Sequence, residues 1–148
     1  MTRRQLAPLL ATRVVTAPLV LRLAAGVVLV AFSIGKFTRY ASESRAFDRY
    51  GIPFPEVTTY LIGVLELVGG LLLIVGLLTR PMTLALAGNM IGAITTAGRI
   101  DGGLVHLGLA PALLLVMLIL LRTGAGARSL DTRLHGSLVG GRAAPRVA

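Results

Sequence analysis

Four apolar runs separated by short polar breaks organise this chain. They extend from about Leu19 to Phe37, Val57 to Leu78, Met82 to Gly98 and Leu104 to Leu121. Each reaches or approaches the roughly 20 residues that a helix rising 1.5 Å per residue needs to cross about 30 Å of hydrocarbon. Pro18 suits the first turn of the first helix, where its missing N–H costs nothing. Arg22 follows one turn later, close enough to the end to snorkel to the headgroups. Arg80 and Pro81 read as a tight turn, so the third helix must run antiparallel to the second. The third run is the most polar, with Asn89, Thr95 and Thr96 inside it, and Pro111 predicts a kink in the fourth. The pattern predicts an all-α membrane protein, a four-transmembrane-helix bundle over residues 19–121 (spans 19–37, 57–78, 82–98 and 104–121, with an outer loop at 38–56).

Composition agrees with the pattern. A chain of 148 residues with 55% hydrophobic and 14% charged side chains has too little polar surface for a soluble domain. The net charge of +9 matters through where the charges fall. Arg3, Arg4, Arg13, Arg22, Arg80, Arg122, Arg128, Arg133, Arg142 and Arg146 share one side of such a bundle with a single acid, Asp131. The other side holds Lys36, Arg39, Arg45, Arg49 and Arg99 against Glu43, Asp48, Glu56 and Asp101. The positive-inside rule then sets an N-in/C-in topology, which is expected in the bacterial inner (plasma) membrane with both termini cytoplasmic. No basic patch interleaved with aromatics is present, so nucleic acid is not an expected partner. Membrane lipids, other membrane or peripheral proteins, and a second copy of the chain are. Residues 1–18 form a cytoplasmic N-terminal segment. Residues 122–148, rich in Gly, Arg, Ala and Pro, form a basic cytoplasmic tail expected to be disordered. A secretory signal peptide does not fit the first run, because Arg22 interrupts it and no A-x-A-like cleavage site follows.

With no cysteine in the chain, disulfides, thiolate metal ligands and thiol nucleophiles are excluded. His106 and His135 lie in different regions and make no metal-ligand pattern, so no metal site is expected. The residue that asks for an explanation is Glu66, the only charge in the second run. An ionised carboxylate at that depth costs on the order of 3 kcal/mol, so it must take up a proton, find a partner or face a wet cavity. Gly63 and Gly70 share its helix face and allow a neighbouring helix to approach, which turns Glu66 into the bundle. The third helix offers a matching face in which Gly88-x-x-x-Gly92 is a small-residue packing motif and Asn89 is a partner. Counted from a turn at Arg80-Pro81, Glu66 and Asn89 differ by ~7 Å in depth, so a direct bond needs tilt or a bridging water. Two readings follow: a neutral, hydrogen-bonded carboxyl that holds helices together, or a proton-linked, ligand-binding one.

All the aromatic residues fall between Phe32 and Tyr60, around the loop that ends Gly51-Ile52-Pro53-Phe54-Pro55. The prolines hold that exit extended. The loop can be an interfacial belt with a short surface helix. The second-ranked reading is a pocket for an amphipathic ring such as a quinone headgroup, built from Lys36, Arg39, Tyr40 and Phe54 and closed by His106 or Arg99. No other cofactor is predicted.

Gly35-Lys36-Phe37 at the end of the first helix, the G-x-P-x-P exit and the stretch LIGVLELVGGLLLIVGLLTR from Leu61 to Arg80 together resemble the DoxX family of small bacterial membrane proteins. The likeness covers about residues 19–121, and Lys36, Gly51, Pro53, Pro55 and Glu66 stand at its pattern positions. It implies a four-helix integral membrane protein in a redox setting. A related subunit belongs to an enzyme that oxidises thiosulfate with a quinone as acceptor, and the lack of cysteine here argues against autonomous sulfur chemistry. The resemblance therefore implies a non-enzymatic subunit or anchor of a redox or oxidative-stress complex. A quinone-linked oxidoreductase subunit is the alternative, and a small transporter, which would need an oligomer or an internal repeat, ranks third.

Overall fold

The computed structural model describes residues 3–126 and 128–132, with side chains from residue 16 onward. These residues are helical, with no strand among them. Helix α1 spans Arg3–Thr38, α2 Tyr40–Arg49, α3 Pro55–Val75, α4 Thr79–Thr95, the short α5 Ala97–Ile100 and α6 Ala110–Thr123, the last preceded by a π-helical turn at Val105–Leu109. Three stretches are long and apolar enough to cross a membrane: Thr16–Thr38, Pro55–Val75 and Val105–Thr123. Helix α4, with 17 residues, is shorter, but it packs inside the same bundle against α3 and α6.

The first helix does not begin at Pro18. It starts at Arg3 and continues through the proline, its 36 residues covering about 54 Å, so its first turns extend beyond the hydrocarbon. Helix α1 lies along α3 and α4 along α6, and the two pairs meet in a core of Leu29, Leu73, Leu86, Met117 and Leu120, all nearly inaccessible. Lipid tails are as apolar as leucine, so close packing has to hold the helices together. Glycines provide it between α1 and α3. A Cβ on Gly70 would lie 2.9 Å from the Gly26 carbonyl oxygen, and one on Gly63 would lie 3.1 Å from the Phe37 ring. Gly63 and Gly70 thus receive α1, while α4, the partner the sequence suggests, meets the adjoining flank at Glu66 and Gly69.

The link between α3 and α4 falls earlier than Arg80-Pro81. Helix α3 ends at Gly76, whose φ of +72° a side chain would strain; Leu77 N–H bonds Leu72 O at 3.0 Å and Gly76 N–H bonds Leu73 O at 3.2 Å in a Schellman ending. Arg80 and Pro81 then belong to the first turn of α4.

Residues just beyond α6 correct a second expectation. Over 124–126 and 128–132 the basic tail is not disordered; it folds back across this end of the bundle. Arg22 is 1% exposed and donates to Ala125 O at 2.6 Å and Arg128 O at 3.0 Å, so it turns inward to the chain's own carbonyls and does not snorkel. Gly76 leaves the space its guanidinium fills, since a Cβ there would sit 2.3 Å from Nη1. Asp131 accepts from Leu78 N–H at 2.8 Å and Thr79 N–H at 3.0 Å, supplying the start of α4 with a carboxylate cap from about 50 residues away. The tail beyond residue 132 lies outside the described residues.

Candidate functional site

Antiparallel packing brings the charge in α3 to a partner. Side chains lean toward the N-terminus of their own helix. Lys36, near the end of α1, leans back into the bundle, and Glu66 on the oppositely directed α3 leans out toward it. Gly63 makes room, because a Cβ there would lie 3.5 Å from the Lys36 Cβ. The result is an ion pair, Lys36 Nζ donating to Glu66 Oε2 at 2.7 Å. Asn89 Nδ2 donates to the other oxygen, Oε1, at 2.9 Å, with no intervening water needed. The sequence-based depth difference vanishes once the turn is placed at 76–78: Glu66 stands nine residues before Val75 and Asn89 ten after Thr79. Their depths then differ by only about 1.5 Å.

From these three residues a cavity of about 870 Å³ opens toward the end of the bundle that carries α2. Its walls are largely apolar, with Leu29 and Phe32 from α1, Ile62 from α3, Met90 from α4 and Leu109 and Leu113 from the last span. Such a volume, apolar with a few convergent polar groups, is characteristic of small-molecule sites. The carboxylate spends both oxygens on its neighbours. A lysine ammonium has three donors and a primary amide keeps an oxygen acceptor, so the three residues can both donate to and accept from a ligand while carrying no net charge.

The rim is polar and comes from segments distant in sequence. Helix α2 roofs the cavity with Phe47, flanked by Glu43 and Arg49. Tyr50 donates its phenol to Asp101, which also pairs with Arg49 at 3.3 Å, and the Tyr50 ring meets His106 edge-on at 6.3 Å. Burial, reinforced by the Asp101 carboxylate, pushes the Tyr50 phenol above its ordinary range. His106 Nδ1 lies 3.3 Å from Gly102 O. The irregularity that Pro111 predicts is the π-helical turn just before it, and that turn carries Val105, His106 and Leu109 into the cavity wall.

Of the residues singled out in the sequence, Lys36, Arg39, Glu66, Gly88, Asn89, Gly92 and His106 line this one space. Tyr40 and Phe54 do not: the Tyr40 hydroxyl is used on Glu56 O at 2.8 Å, and Phe54 is 78% exposed. Arg99 is exposed and outside the lining too. Gly51, with φ of +70°, makes the bend after α2, Pro53 O accepts from the Thr58 hydroxyl at 2.8 Å, and Pro55 opens α3. Gly88 and Gly92 receive no other helix of this chain, because a Cβ on either would meet nothing within 4 Å. Sequence reasoning missed the Lys36–Glu66 pair and the Tyr50–Asp101 contact. Among the described residues no cluster of His, Asp and Glu is suited to a metal.

Comparison with known proteins places the chain. The family model for DoxX matches residues 17–99. The "Uncharacterized membrane protein Rv3486" of Mycobacterium tuberculosis is 36% identical over 129 residues, covering 77% of this chain and 78% of that protein. A Bacillus subtilis protein named "Putative oxidoreductase CatD" is 33% identical over 78 residues, 53% of this chain and 57% of that protein. No solved structure matches.

Proposed function

The chain belongs to the DoxX family of membrane proteins, and from that premise we propose that it is a redox-linked membrane subunit holding a neutral, ring-bearing molecule of the quinone class in its cavity. The observation that carries this reading is the convergence of Lys36, Glu66 and Asn89 on the wall of a largely apolar cavity. A quinone carbonyl is a strong acceptor without charge. Lys36 Nζ is placed to donate to it, and Asn89 supplies a further polar contact. Two protons accompany two-electron reduction of a quinone, and the Lys36–Glu66 pair, connected to the rim through the cavity, is suited to deliver them. With no thiol of its own, the subunit takes its electrons from a partner redox protein, which fits a membrane component better than an autonomous enzyme. The oxidoreductase name of the Bacillus relative supports the redox setting.

In this reading all four long helices cross the bilayer. The arginine-rich end with Arg22, Arg80 and Arg122 faces the cytoplasm, and the cavity opens toward the outer face of the bacterial inner membrane. A second reading, in which the carboxylate only binds helices together, is favoured by one fact: both Glu66 oxygens are satisfied within the chain. Gentle detergent purification followed by mass spectrometry of bound lipid-soluble molecules separates the two. A quinone retained by the wild type and lost from Glu66→Gln supports the ligand site. Retention of none by either protein, with Glu66→Gln folded, leaves the trio as helix glue.

A further inference from the structure

The cavity has a second limb. Helices α3 and α4 are in contact near their shared turn, where a Cβ on Gly69 would touch Leu86 at 3.1 Å. Further from the turn they part. Beside Asn89, on its more exposed flank, Gly88 and Gly92 line the cavity with nothing within 4 Å of where a side chain would begin. Ile62 and Thr58 line it from the facing side of α3. At 100° per residue, Gly88 and Gly92 lie past Asn89 on the side of α4 turned away from its buried face of Leu86 and Met90. The space around the Lys36–Glu66–Asn89 trio is therefore continuous with a slot between α3 and α4 that extends to the exposed flank of α4 at Gly88. One limb leads to the polar rim under α2, the other to the exposed flank of α4.

We propose that this slot between α3 and α4, floored by Gly88 and Gly92, passes the hydrocarbon tail of the ligand, so that the site takes tailed amphiphiles from within the membrane. The inference rests on the ligand-binding reading above and narrows the ligand to a neutral head with acceptor oxygens joined to a flexible apolar chain. The head reaches the trio, and the chain leaves sideways between the helices. Glycine is needed at these two positions because a chain lying against α4 occupies the volume a side chain would take. Nothing in the packing within this chain demands it: neither glycine has a positive φ and neither receives another of its helices.

The test uses the full chain in lipid nanodiscs and two radiolabelled probes, a benzoquinone carrying a ten-carbon chain and the same ring without it. Binding is measured for the wild type, for Gly88→Leu, Gly92→Leu and the double variant, and for Lys36→Met. The proposal expects the wild type to bind both probes. The double glycine variant loses at least tenfold in affinity for the chain-bearing probe and stays within twofold for the bare ring, while Lys36→Met weakens both. Equal binding of both probes by the double variant and the wild type overturns the slot as the tail path. So does equal loss of both, which makes the glycines mere walls of the head pocket. Failure of the wild type to bind either probe removes the quinone-class reading and this inference with it. Chain-bearing probes with and without a branch next to the ring supply a check on the wild type without substitutions: branching abolishes binding if the slot is used, and tolerance of branching overturns it.

Discussion

Removing one member of the Lys36–Glu66 pair is the sharpest perturbation available. The two side chains are 13% and 6% exposed, so the pair belongs with buried ion pairs and not with surface ones worth a few tenths of a kcal/mol. Losing one partner of a buried pair costs about 3–5 kcal/mol because the other charge is left uncompensated, whereas removing both together is close to neutral. Lys36 borders a cavity that water can enter, which puts Lys36→Met toward the lower figure, about 3 kcal/mol. Glu66→Gln should cost less, about 1–2 kcal/mol, since the amide oxygen can still accept from Lys36 or Asn89. The double variant Lys36→Met, Glu66→Gln should recover most of the loss, giving a coupling energy of at least about 2 kcal/mol. For a chain of this size that is a fall in Tm of roughly 6–12 °C for Lys36→Met alone, largely restored in the double variant. Thermal unfolding in detergent, followed by far-ultraviolet circular dichroism on all four proteins, measures the cycle. Additive effects, or a Lys36→Met protein as stable as the wild type, would refute the pairing.

Three further outcomes follow from the same geometry. Gly76→Ala must strain a φ of +72° and displace the Arg22 guanidinium, and should lower stability by about 2–4 kcal/mol; Gly88→Ala meets nothing and should raise it by up to about 1 kcal/mol, so the two Tm shifts should have opposite signs. Asp131→Ala removes the cap on α4 and should cost about 1 kcal/mol, read as a lower Tm together with faster amide exchange at Leu78 and Thr79. The Tyr50 phenol is favoured neutral in the fold, so its bond to Asp101 is fully present below about pH 10 and is lost as pH rises through the raised folded value. Absorbance near 295 nm, taken as wild type minus Tyr50→Phe, should place that titration above the ordinary tyrosine range and show it falling in Asp101→Asn.

Much of the architecture is legible in the chain because membrane helices are written in long apolar runs. The inward aim of Glu66 could likewise be read from Gly63 and Gly70. The failures have specific physical causes. Placing the α3–α4 turn at Arg80-Pro81 ignored Gly76 as a helix terminator, and that error alone separated Glu66 from Asn89. Lys36 was counted with the outer-side charges and not paired with Glu66, because position along the chain omits the lean of each side chain toward its own N-terminus. Arg22 was read as snorkelling because its partners, the carbonyls of Ala125 and Arg128, lie more than 100 residues away in a segment with no apolar pattern. Gly88-x-x-x-Gly92 has the spacing of a packing motif, but spacing does not say what the glycines admit, and no other helix of this chain lies against them.

Lys36 is the only lysine in the chain, which allows a direct measurement at the centre of the site. With 15N at the side-chain nitrogen of lysine, the protein in nanodiscs should give a single ammonium resonance. The account predicts that this signal is protected from rapid exchange by its bond to Glu66, shifts in Glu66→Gln, and shifts again when a chain-bearing quinone is added to the wild type. A resonance that exchanges freely and ignores both the substitution and the quinone would contradict the pairing and the ligand site together.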